Sequence, residues 1–248
     1  INRISWIITT WFRSHHYYAS GGWRATWKGE GGGVLLNQCP HQLDLMQWLF
    51  GMPEKIRAFC HLGRFHDIEV EDDVTAYLEY AGGDGSPMSR GANGVFITTT
   101  GEAPGTNRLE IAAENGRVIV EGEGIQWTRN ETPSSQFSKT TGQSFGKPAT
   151  WNIDIPVRGN GEQHVGILKN FANAILKGEP LMAPASEGIH SIELANAMLL
   201  SSEKGATINL PLDGDEYAAL LKSKVESSTF VKNTNEGNAP DTSFSQSF

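Results

Sequence analysis

The sequence predicts an α+β domain built on a large, open, mostly antiparallel β-sheet with helices packed on one face. Two observations carry that reading. Between residues 54 and 157 the chain is mostly a succession of short alternating segments separated by glycine-bearing turns, while helical periodicity gathers near 40–50 and from 164 to 224. So little helix leaves one sheet face uncovered, which points to pairing with a second subunit or another domain.

Residues 1–12, INRISWIITTWF, are rich in Ile, Thr, Trp and Phe and predict a strand from the first residue. A folded domain seldom opens mid-strand, and the chain starts without Met, so it reads as a fragment or a processed product. Residues 13–30 are turn-like and aromatic, with Arg13, His15, His16, Tyr17, Tyr18, Trp23, Arg24 and Trp27 close together. They form either an exposed loop folded onto the core or a ligand wall, since aromatic faces and guanidinium groups suit a sugar-like ligand. A short apolar run at 34–36 then leads into a helix from Pro40 to about Phe50, with proline in the first turn, Gly51 as the stop, and so little polar face that burial is expected.

Beyond Pro53 the period changes. Segments 54–65 and 69–80 predict paired strands, with Val70, Asp72, Val74, Ala76, Leu78 and Tyr80 on one parity. Asn93-Gly94 signals a turn in the loop that follows. Strands are expected near 95–101, 108–113, 117–121 and 125–130, with hairpins at Asn115-Gly116 and Glu123-Gly124. An exposed loop over 132–150 and a strand over 151–157 follow. Helices are predicted from His164 to Gly178, from about Glu187 to Lys204 and over 214–224, with a short strand at 206–210. The division expected is one domain over 1–224 and a polar tail over 225–248.

Composition narrows the function classes. The chain has 248 residues, 38% of them hydrophobic and 19% charged, which suits a globular domain with a sizeable core. A net charge of −8 without any Lys/Arg cluster argues against nucleic acid or an anionic membrane surface as partner. Two cysteines are too few for a disulfide framework and favour a reducing, cytoplasmic setting. No run approaches the roughly 20 apolar residues of a membrane span.

Asn37 and His41 are the leading chemical pair. Four residues across a strand-to-helix junction bring both to one pocket mouth, where a histidine can exchange a proton with a hydroxyl or carbonyl and an asparagine can hold it by hydrogen bonds. The competing reading is strong, because a lone histidine at a helix start is more often a cap or a satisfied, half-buried residue. His15-His16 and the pair His61 and His66 lack the spacing of a metal site, so none is expected. No Gly-x-Gly-x-x-Gly follows a strand and opens a helix, so no dinucleotide site is encoded here.

The stretch GGGVLLNQCPHQLDLMQWLFG, residues 31–51, resembles the central motif of the Gfo/Idh/MocA oxidoreductases, GGG-x-L-x-(D/N)-x-x-x-H-x-x-D followed by an apolar helix and Gly. The strand and aromatic loop before it and the late helical pair resemble the same family, so the likeness covers about residues 1–222. It implies a C-terminal substrate-binding and oligomerisation domain only, with the Rossmann domain absent and NAD or NADP bound mainly by a domain this chain does not contain. It implies His41 as general acid/base, Asn37 at a position often filled by Asp, Gln38 toward the nicotinamide, and Arg13, Tyr17, Trp23, Arg24 and Asp44 as substrate contacts. The substrate expected is a sugar, polyol or glycoside, and the assembly a homo-oligomer, dimer or tetramer, through the open sheet face. Two alternatives stay open: a standalone carbohydrate-binding or scaffolding module, and part of an NAD-dependent glycosidase or lyase.

Overall fold

A computed structural model describes residues 1–83, 87–88, 90–157, 159 and 161–234. Part of the loop at 81–94 and residues 235–248 of the tail expected over 225–248 lie outside the described residues.

Among the described residues one sheet of nine strands organises the chain. These are β1 (Arg3–Ile8), β2 (Lys55–Leu62), β3 (Glu71–Tyr80), β4 (Ala92–Thr99), β5 (Asn107–Ala113), β6 (Gly116–Glu121), β7 (Gly124–Asn130), β8 (Thr150–Ile155) and β9 (Ile208–Asn209), in the order β8-β7-β6-β5-β1-β4-β3-β2-β9. Every pairing is antiparallel except that of β1 with β4. Between β1 and β2 the chain forms α1 (His15–Tyr18), α2 (Val34–Asn37) and α3 (Pro40–Phe50); later come α4 (Ser134–Thr140), α5 (Gln163–Lys177), α6 (Gly188–Lys204) and α7 (Gly214–Ser227).

Strand alternation sets the core. Trp6, Phe96, Ala76 and Ala58 stand opposite one another across β1, β4, β3 and β2, and all are buried. Above this row lie Leu43 and Met46 of α3 and Leu194, Ala197 and Met198 of α6, all fully buried in one cluster. The open, mostly antiparallel sheet with helices on one face is the architecture that the alternation predicts.

The structure corrects several local expectations. Val34–Asn37 is a helical turn, so Asn37 and His41 flank a helix-to-helix junction. Helix α3 has the expected ends, but only Leu43, Met46 and Phe50 are buried, and Trp48 is 71% exposed, because a single face of the helix meets the core. Asn93-Gly94 lies inside β4. Pairing with β1 on one side and β3 on the other overrides the turn preference, and a Cβ at Gly94 would meet Leu78 Cβ at 3.3 Å. The 13–30 loop contains α1, and the loop expected over 132–150 contains α4. The start of α4 is capped from outside: Ser135 N–H donates to Glu114 Oε2 at 2.9 Å. Ile189 and Ile192 near the start of α6 are exposed, and α7 runs three residues further than expected, through Ser227.

Candidate active site

The glycine stretch before α2 is shaped by a buried carboxylate. Both oxygens of Glu71 stand 2.8 Å from the Gly33 N–H, and Oε1 also accepts from Leu35 N–H at 3.1 Å, so Glu71 caps the start of α2. A Cβ at Gly33 would lie 2.0 Å from the Glu71 carbonyl, and Gly31 has φ +78, which explains glycine at both positions. Burial pushes the Glu71 carboxyl up to about 7, against the pull of its backbone donors.

This turn delivers Asn37 and Gln38 to a hydrogen-bonded hub around Tyr17. The Tyr17 phenol donates to Asn37 Oδ1 at 3.1 Å and accepts from Arg24 Nη1 at 2.6 Å and Gln38 Nε2 at 3.2 Å. Gln38 Nε2 also donates to Asn37 Oδ1 at 2.7 Å, while its own Oε1 is buried without a partner. Asn37 Nδ2 donates to Glu30. A carboxylate at position 37 would face that of Glu30, which accounts physically for Asn where the family pattern often has Asp. The guanidinium groups of Arg24 and Arg13 stack on the Tyr17 ring at 4.4 and 5.1 Å, and Arg24 also lies 4.8 Å from the Trp23 ring.

His41 occupies the first turn of α3, exposed, its side chain making no hydrogen bond or ion pair to any described residue. Asp44, one turn on, is also exposed and accepts from Gln47 Nε2 at 3.0 Å. The structure therefore joins Arg13, Tyr17, Trp23, Arg24, Asn37 and Gln38 in one network, leaves His41 free at a helix start, and ties Asp44 to its own helix.

Sequence reasoning missed three supports of this network. Glu30, half-buried in a turn, and Glu71, buried at a strand end, are two of them, and nothing local marks either acid. The third is His66, buried between Asp72 Oδ2 at 2.9 Å from Nδ1 and the Arg13 carbonyl at 2.8 Å from Nε2. Burial pushes the Asp72 carboxyl up, but hydrogen bonds from His66 and from the amides of Phe65 and Arg64 hold it below its usual range. Both cysteines are free, Cys39 buried with Sγ 3.0 Å from Thr98 Oγ1. Among the described residues no three His, Cys, Asp or Glu side chains gather as metal ligands, and no helix is long and apolar enough to cross a membrane.

Residues 2–119, which hold every residue of this network, match the family profile of the GFO/IDH/MocA C-terminal domain. This segment is a Gfo/Idh/MocA C-terminal domain. Trans-1,2-dihydrobenzene-1,2-diol dehydrogenase of cattle (Bos taurus) is 28% identical over 127 residues, which are 49% of this chain and 37% of that enzyme. The WlbA dehydrogenase of Chromobacterium violaceum, solved with NADH and UDP-GlcNAcA, superposes with a TM-score of 0.63 at 29% identity, over 86% of this chain and 55% of that one. A levoglucosan dehydrogenase solved with NADH and levoglucosan shares the fold, with a TM-score of 0.62 at 16% identity over 85% of this chain and 59% of that one. The chain thus matches between about a third and three fifths of the length of these proteins.

Proposed function

We propose that the chain is the substrate-binding and subunit-contacting part of an NAD(P)-dependent oxidoreductase that acts on a hydroxyl or carbonyl of a sugar, polyol or glycoside. The observation that carries the reading is an exposed His41 standing four residues beyond Asn37 and the Tyr17 hub, in a domain whose relatives are dehydrogenases. His41 takes the hydroxyl proton as the carbon is oxidised and returns it in the reverse direction. Asn37 and Gln38 hold the substrate oxygen from a frame already braced by Tyr17 and Glu30. Arg13 and Arg24 have no carboxylate partner among the described residues, and the Nε–H of each is buried without an acceptor, an arrangement suited to a substrate bearing an acidic group.

Gln38 Oε1, a buried acceptor without a donor, fits the amide N–H of a nicotinamide. The nicotinamide, when bound, supplies the hydride acceptor; the rest of such a cofactor belongs to another domain. Phe59 and Tyr77, exposed on the sheet face opposite the buried Ala58–Ala76 row, support pairing with a second copy of the chain there.

The test is turnover by the full-length protein with sugar, polyol and sugar-acid substrates. His41→Ala lowers kcat by about 10²- to 10⁴-fold while the circular dichroism spectrum is unchanged; unaltered turnover overturns the assignment. Calorimetry sharpens it, because sugar binding by a full-length protein that ignores NAD and NADP points to a binding module instead.

A further inference from the structure

The segment after α7 returns to the aromatic loop of the site. Ser228 Oγ donates to Glu69, whose other carboxylate oxygen accepts Trp27 N–H at 2.9 Å. Four residues on, Lys232 Nζ donates to the Arg24 carbonyl. Lys232 and Asn233 also wall a small cavity with His15 and Tyr18 of α1, so the segment crosses both the helix and the loop that carry the hub.

The Arg24–Ala25 peptide unit is consequently gripped at both ends. Its carbonyl accepts from Lys232, and its N–H donates to Glu30 Oε2 at 2.6 Å. Ala25 is fully buried with φ 53, in the left-handed region that residues other than glycine avoid unless their surroundings hold them there. The two residues fixed by this peptide matter to the site: Arg24 donates to the Tyr17 phenol, and Glu30 accepts from Asn37. Partial burial, then the charge of Arg24, hold the Lys232 ammonium below the usual lysine range against the attraction of Glu30.

We propose that Lys232, aided by Ser228, is a positioning residue: residues 228–234 clamp the 23–30 loop, fixing the Arg24–Ala25 peptide and with it the left-handed backbone of Ala25, so that Arg24 and Glu30 stay on Tyr17 and Asn37. The inference rests on reading the Tyr17 hub as the substrate site, but the clamp itself is tested without activity. In the full-length protein, Lys232→Met raises amide hydrogen exchange over residues 25–27 about tenfold and leaves β3 and β4 unchanged, and Lys232→Arg keeps the protection. Where turnover is measured, Lys232→Met raises KM about tenfold with little change in kcat, since the loop orients substrate rather than moving the proton. Unchanged exchange at 25–27 in Lys232→Met overturns the clamp. So does an equal rise across the whole sheet, which is the signature of general destabilisation. A protein without dehydrogenase activity leaves the exchange result to decide the clamp on its own.

Discussion

Two halves of one sheet obey the same alternation and are buried to very different degrees. In β1, β4, β3 and β2 the row Trp6, Phe96, Ala76 and Ala58 is closed off by α3 and α6. The same face continues outward through Leu109 in β5, still buried, to Val120, Ile125 and Ile155 in β6, β7 and β8, where the side chains become half-buried and then exposed, and Trp151 on β8 is 56% exposed. No described helix covers that outer part. Backbone pairing builds both halves, whereas apolar burial stabilises chiefly the inner one, and the candidate site is mounted on the inner one.

The largest expected effect tests that division directly. Phe96 is fully buried and meets Trp6 edge to face, with ring centroids 6.4 Å apart. Phe96→Ala costs about 3–5 kcal/mol, measured by urea unfolding. A loss below about 1 kcal/mol breaks the comparison, because the inner half would then be no better packed than the outer.

The covered half also shuts a carboxylate away from water. Glu71 is raised to about 7 in the fold, so its contribution to stability is fully present below its unfolded value near 4.5 and is lost as pH rises through about 7. Asp72, Glu110 and Glu114 are shifted the other way, and their contributions are lost only as pH falls through lower values. Between pH 4.5 and 7 the unfolding free energy should therefore fall relative to Glu71→Gln, by on the order of 3 kcal/mol. Parallel profiles for the two proteins would show that water reaches this carboxylate.

What could be read in the sequence divides along the same line. Strands β2, β3, β5, β6 and β7 were legible because alternation and glycine turns are local signals, and α3 was legible through Pro40 and Gly51. The exposure of Trp48 was not, because the composition of a helix does not say how many of its faces find a partner. Asn93-Gly94 misled because strand pairing on both sides outweighs a dipeptide preference. In the site, spacing pointed to Asn37 and His41, and the family resemblance added Gln38. Glu30, Glu71, His66 and Lys232 carried no spacing signal, since each acts across a contact distant in sequence or inside an irregular loop.

In the outer half smaller losses are expected. Ile155 pairs with Ile125 on the edge strand and is 38% exposed. Ile155→Ala costs about 1 kcal/mol or less, with the unfolding midpoint in urea as the readout. A loss matching that of Phe96→Ala would mean that the outer face is covered in solution.

The smallest effect is expected where amphipathic patterning is strongest and packing is absent. Helix α5 carries Val165, Leu168, Phe171 and Ile175 on one stripe, as its periodicity predicts, and all four are exposed, Leu168 at 68%. Replacing both Leu168 and Phe171 with Gln keeps good helix propensity and removes apolar side chains that already face water. The double substitution should therefore shift the stability of the 248-residue chain by no more than about 0.5 kcal/mol. A loss above about 2 kcal/mol would show the stripe seated against an apolar surface. The outer half-sheet is the nearest in character, and the two regions would then be one covered layer rather than two different ones.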